Sequence, residues 1–133
     1  MLLYKFFNPN PAGKMVRDCV VRAICKAENL SWEFAYLSIC AAGLVEYDMP
    51  DGNDVWGIYF KNRGYTREYI PNTCPDCYTV RRFCEEHPKG LFVLCTGNHA
   101  VTVVDGDVYD AWDSTREVPI YYWTKEKDEK EET

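Results

Sequence analysis

"GNHAVTVVDGDVYDAWDS" (residues 97–114) turns the chain back on itself. Asp105-Gly106 sits between two apolar runs, and a two-residue type I′ loop needs positive φ at both central positions, which this dipeptide tolerates. Such a loop pairs Val104 with Asp107, Val101 with Asp110 and His99 with Trp112. Side chains alternate between the faces of a strand, so His99, Val101, Val103, Val108, Asp110 and Trp112 share one face. Asp110 is then a diagonal neighbour of the imidazole, whereas Asp113 falls on the other face unless a bulge intervenes. A His–Asp pair on a stiff hairpin is half of a catalytic device; the other half is a nucleophile.

Outward from the hairpin, "LFVLC" (91–95) and "VPIYYW" (118–123) read as further strands. Helical segments precede them. Asp18 caps a helix running to about Asn29, with Val20, Val21, Ile24 and Ala27 inward and Arg22 and Lys26 outward. Ser31 caps a second helix, "WEFAYLSICAA", which Gly43 ends. After the loop "MPDGN" a third helix covers "DVWGIYFKNR" and stops at Gly64, followed by a short strand, "YTREYI". "PNTCPDC" is a turn into the helix "YTVRRFCEEH", closed by Pro88 and Gly90. Helices first and strands after them predict an α+β fold, with N-terminal helices packed on a C-terminal antiparallel sheet. No linker or repeat divides the chain, so residues 1–124 read as one domain and "KEKDEKEET" (125–133) as a charged, flexible tail.

With 133 residues, 47% of them apolar and 15% aromatic, the chain can bury a core. A net charge of -6 argues against phosphate-backbone binding, so no nucleic-acid partner is expected. "MLLYKFFNPNP" is too short and interrupted for a signal peptide, and no apolar run approaches the ~20 residues that span a bilayer. Seven cysteines, an odd number, fit reduced thiols and a cytoplasmic setting.

"RDCVVRAICKA" (17–27) places Cys19 just inside a helix N-terminus, where unpaired N–H groups and the macrodipole stabilise a thiolate. A thiolate needs an acceptor that can return the proton to a leaving group, and His is the usual choice. The chain order is a helix-borne Cys, a His opening a strand and a carboxylate on the next strand.

In "DCVVRA" (18–23), "NHAVTVV" (98–104) and "VYDAW" (108–112) the sequence resembles the papain-like cysteine peptidases. The likeness is greatest to the small bacterial peptidases that process double-glycine leader peptides, and it spans roughly residues 14–112. It rests on motif order and spacing. The resemblance implies Cys19 as nucleophile, His99 as general base and acid, Asp110 as its orienting partner and Trp112 as a cover over that contact. It implies a protein or peptide substrate, cleavage of a peptide, isopeptide or amide bond, and no cofactor. One departure stands out. The family carries a Gln about six residues before the cysteine, donating to the oxyanion; this chain has no Gln, and position 13 is Gly. Asn8, Asn10, Lys14 and Arg17, with the Cys19 N–H, are the candidates for that role.

Two alternatives stand beside this reading. One is a catalytically silent form of the same fold that binds a partner protein, as a bacteriophage or mobile element would direct at its host. The other is a zinc-stabilised interaction module built on "CPDCYTVRRFCEEH", in which Cys74, Cys77, Cys84 and His87 match zinc's preference for thiolate and imidazole, with Cys84 and His87 on one helix face. That motif also reads as a redox Cys-x-x-Cys pair, or simply as a turn and a helix with Cys84 packed beside Phe83 and Val80. Cys25, Cys40 and Cys95 occupy apolar periodic positions, where packing accounts for them.

Overall fold

A computed structural model describes residues 3–73 and 75–125. The charged tail beyond Lys125 lies outside the described residues. In chain order the elements are β1 (Tyr4–Phe6), α1 (Cys19–Glu28), α2 (Trp32–Glu46), α3 (Asn53–Asn62), β2 (Thr66–Tyr69), α4 (Val80–Glu86), β3 (Leu91–Cys95), β4 (Ala100–Val104), β5 (Asp107–Asp110) and β6 (Tyr121–Thr124). The fold is α+β, and its strands form one six-stranded sheet in the order β1-β5-β4-β3-β6-β2. No helix among the described residues is long and apolar enough to cross a membrane.

The β4–β5 hairpin has the expected register, Thr102 opposite Tyr109, Val103 opposite Val108 and Val104 opposite Asp107. Its turn places Asp105 at φ 49° and Gly106 at φ 83°, as a type I′ loop requires. The ladder ends at Thr102–Tyr109, so neither of the expected pairs Val101–Asp110 and His99–Trp112 forms. The Thr96 N–H donates to the His99 carbonyl at 2.9 Å, which turns the chain just before β4. Asp110 pairs with Phe6 on β1 instead of with Val101.

β1 corrects the expectation of an antiparallel sheet. It runs parallel to β5, so the sheet is mixed. Three residues followed by "NPNP" are too few to display an alternation, so local pattern could not reveal this strand. Its pairing is nevertheless specific: the Phe7 N–H donates to the Asp110 carbonyl and the Val108 N–H to the Leu3 carbonyl. β1 thereby covers the outer edge of the hairpin where Asp110 sits.

Both faces of the sheet are covered. α1, α2 and α3 pack against Val93, Cys95, Ala100, Tyr121 and Trp123, with Trp56 and Phe60 among the largest buried side chains. On the other face Val80, Phe83 and Cys84 of α4 meet Leu94, Val101, Val103 and Val108. α1 is also tied to β4 through a hydrogen bond, at 2.8 Å, from the Thr102 hydroxyl to the Ala23 carbonyl.

Two helix expectations are corrected. Arg22 does not face outward but is 5% exposed, because Asp18 and Asp110 neutralise it. A polar residue read by periodicity alone is assigned to solvent; here two buried carboxylates reverse that. Gly43 does not end α2, which continues to Glu46 and stops at Tyr47 in the left-handed region. Gly43 is there for close approach: a Cβ would lie 2.8 Å from the Asp48 carbonyl oxygen. The inner face of α2 carries Ala35, Ile39 and Gly43, while Phe34, Leu37, Leu44 and Val45 remain exposed.

Candidate active site

Cys19 is the first residue of α1, so its backbone N–H is one of the helix's unpaired donors. Asp18 precedes it at the N-cap but makes no side-chain cap. Its carboxylate oxygens instead accept from the Arg22 guanidinium and, at 2.8 Å, from the Trp32 indole N–H. The cap is given up to hold Arg22.

His99 and Asp110 meet at the open end of the hairpin. The His99 Nε2–H donates to Asp110 Oδ2 at 2.7 Å, and His99 lines the same cleft as Cys19. The Trp112 ring lies against His99, with centroids 4.8 Å apart, while 44% of the residue remains exposed. Asp113 is not the partner; its carboxylate accepts from the Thr115 N–H and hydroxyl.

Asp110 is fully buried, and each oxygen is accounted for. Oδ1 accepts from Arg22 Nε at 3.1 Å, from a second Arg22 nitrogen at 3.0 Å and from the Ala111 N–H at 2.8 Å. Oδ2 accepts from His99 and, at 2.6 Å, from the Ser114 hydroxyl. Burial raises the Asp110 carboxyl, but the hydrogen bonds from His99 and Ser114 and the charges of His99 and Arg22 prevail and hold it below the ordinary carboxylate value.

The same balance operates at the other two groups. Burial pushes the Cys19 thiol up. The His99 hydrogen bond, the Ala100 N–H and the charges of His99 and Arg22 outweigh it, and the thiol lies below its usual value. Burial pushes His99 down, yet hydrogen bonds to Asp110 and Cys19 and the charges of both raise it to about 9. A lowered thiol beside a raised imidazole shifts the pair toward thiolate and imidazolium. At the other buried thiols burial is not outweighed: Cys25 is pushed up to about 11 and Cys84 to about 12.

A cleft of about 850 Å³ opens over this group. Arg17, Cys19, Asn98, His99 and Trp112 line it, and Trp32, Tyr36, Cys40, Met49 and Asp51 form much of the remaining wall. Of the candidate oxyanion donors, Arg17 borders the cleft. Asn10 and Asn8 do not, which corrects their assignment. Asn10 Oδ1 accepts from the Ala12 N–H at 2.9 Å, and Asn8 donates to the Lys14 carbonyl at 3.2 Å, so both close the 8–15 loop. Lys14 is exposed on that loop and is absent from the cleft wall. The side-chain amide at the cleft is that of Asn98, whose signal in the sequence was only its place beside His99.

The cysteine cluster does not assemble among the described residues. Cys74 lies outside them, Cys77 is exposed and Cys84 points into the core. His87 is turned onto Phe83: its Nδ1–H donates to the Phe83 carbonyl at 2.9 Å, and the two rings stack 3.9 Å apart. No group of three His, Cys, Asp or Glu among the described residues is placed to hold a metal ion.

Sequence reading missed Arg22, Asp18, Ser114 and Trp32. In the sequence Asp18 reads only as a helix cap and Arg22 only as an outward-facing residue, although their spacing of four on one helix suits an ion pair. Comparisons with protein-family models, curated proteins and solved structures found no match.

Proposed function

We propose that this chain is a thiol hydrolase of papain-like type, cleaving a peptide, isopeptide or amide bond in a protein or peptide substrate. The observation that carries the reading is His99, bonded to the buried Asp110 carboxylate at 2.7 Å, lining the same cleft as Cys19 at the start of α1, with the thiol lowered and the imidazole raised by their mutual interaction. The Cys19 thiolate attacks the substrate carbonyl carbon. The oxygen that becomes negative is met by the Cys19 N–H at the helix terminus, with the Asn98 amide on the same cleft wall. His99 passes its proton to the departing amine, leaving an acyl thioester. His99 then takes a proton from water, whose oxygen attacks the thioester and releases acid and thiolate. Asp110 holds the ring orientation, and Trp112 shields one side of the imidazole.

A binding role without turnover is the second reading. The exposed apolar side chains Phe34, Leu37, Leu44 and Val45 on α2 favour it.

Alkylation separates the two. At pH 6.5 iodoacetamide is expected to label Cys19 before any other thiol, Cys25 and Cys84 being held protonated by burial. Turnover of a peptide-amide library is expected to vanish in Cys19→Ala. Labelling of Cys40 or Cys77 ahead of Cys19, with no Cys19-dependent turnover, would leave the binding reading in its place.

A further inference from the structure

We infer that Arg22 is a positioning residue for the catalytic pair: it locks the Asp110 carboxylate so that Oδ2 is presented to the His99 imidazole. The inference rests on Cys19 being the nucleophile. Two Arg22 nitrogens converge on the single oxygen Oδ1, joined there by the Ala111 N–H, while Oδ2 is left to His99 and Ser114. A carboxylate held by one oxygen cannot rotate without breaking three hydrogen bonds at once. The remaining Arg22 nitrogen is anchored by Asp18, and Asp18 by the Trp32 indole. The clamp is therefore fixed from behind, by a residue of α2.

The placement on α1 explains why the clamp sits where it does. Cys19 and Arg22 are three apart, so one helical turn carries both the nucleophile and the group that orients its partner's partner. The distance between the thiol and the hairpin is then set by one rigid element gripping Asp110. A buried guanidinium is costly unless it is fully paired, and this one is matched by two carboxylates. Surface solubility or helix propensity would not demand that arrangement.

The charged and titratable groups around the site are few. His99 faces Cys19 from α1 and Asp110 from β5. Asp110 faces Arg22 and His99, with the Ser114 hydroxyl on Oδ2 and the Tyr4 hydroxyl donating to its backbone carbonyl. Asp18 faces Arg22, and Asp113 is turned to Thr115.

This set makes positioning and simple charge distinguishable by sign. If Arg22 acted only as a positive charge near His99, its loss would raise the imidazole further, and the upper limb of Cys19 reactivity would move to higher pH. If it positions Asp110, its loss lets the carboxylate turn or take up a proton. The hold on the imidazolium then weakens, and the upper limb falls from about 9 toward the ordinary histidine value.

The test is the pH profile of Cys19 alkylation by iodoacetamide in wild type, Arg22→Met and Arg22→Lys, with circular dichroism recording the fold. The expected result is an upper limb lowered by about one pH unit or more in Arg22→Met, and by less in Arg22→Lys, which keeps the charge but not the planar fork. Should Arg22→Met fail to fold, the lysine variant decides alone, a lowered limb supporting the inference. A folded variant whose upper limb is unmoved or raised overturns it. A wild type that titrates as one ordinary thiol sinks the nucleophile assignment itself, a separate outcome from a normal wild-type profile that Arg22 does not alter.

Discussion

Replacing His99 with alanine is expected to lower the alkylation rate of Cys19 about tenfold at pH 6–7. The pH profile should change from a plateau with two limbs into a single rise. The wild-type thiol is depressed by His99 above all, through a hydrogen bond and a positive charge. Without the imidazole, burial acts with less opposition, and the thiol returns to or above ~8.5, where only a few per cent is ionised near pH 7. The more basic thiolate is intrinsically more nucleophilic, which offsets part of that loss and keeps the expected factor near ten. Rate against pH, measured with mass mapping to Cys19, checks the prediction. An unchanged profile would mean that His99 and Cys19 do not share a proton.

Asp110→Ala is expected to be the most destabilising single change at the site, by ~3–5 kcal/mol in urea unfolding, because it leaves the buried Arg22 guanidinium without its hairpin partner. His99 and Ser114 lose an acceptor at the same time. Asp110→Asn keeps the volume but removes the charge, so it should cost less and should lower the upper limb of Cys19 reactivity. The acid dependence follows from the sign of the shift. The folded Asp110 value is below the unfolded one, so its contribution is present above pH ~4 and is lost as pH falls through the depressed value. Wild type should therefore lose stability on acidification more steeply than Asp110→Asn. Equal acid slopes would contradict the proposed Arg22–Asp110 pairing energy.

The Cys19–His99 pair behaves differently with pH. The folded His99 lies near 9 against 6.5 for the unfolded group, and the folded Cys19 lies below its unfolded value. The raised His99 contributes stability that is fully present below about 6.5 and is lost as pH rises through about 9. The lowered Cys19 contributes stability that is present above the ordinary thiol value of ~8.5 and is lost as pH falls through its lowered value, so the two contributions have opposite slopes.

What could be read from the sequence follows the range of the interactions involved. The hairpin was legible because Asp105-Gly106 fixes its own turn locally, and the turn sets the register. That register named His99, Asp110 and Trp112, but through a face shared with Val101, Val103 and Val108 that the structure does not keep: the valines pack on α4, whereas His99 and Asp110, beyond the end of the ladder, meet Cys19 and Arg22 of α1. Cys19 was legible because a helix start is marked by its neighbours. Arg22 was not, since its buried position depends on Asp110, which is 88 residues away. β1 was hidden for a similar reason: its three residues take their meaning only from β5. Gly43 shows a different limit: its strong meaning as a helix stop gives way to close packing against the Asp48 carbonyl in the turn that follows α2. Asn10 matched the expected donor in type and approximate position, but its side-chain oxygen accepts within its own loop and the residue does not line the cleft.

The central claim is that Cys19 and His99 exist as thiolate and imidazolium at neutral pH. Ultraviolet thiolate absorbance, taken as the difference between wild type and Cys19→Ala across the pH range, measures this without substrate or inhibitor. The expected result is Cys19 thiolate forming below the ordinary thiol range, with only a small further change as His99 loses its proton near 9. A single titration at ~8.5 or above, with no thiolate at pH 7, would contradict it.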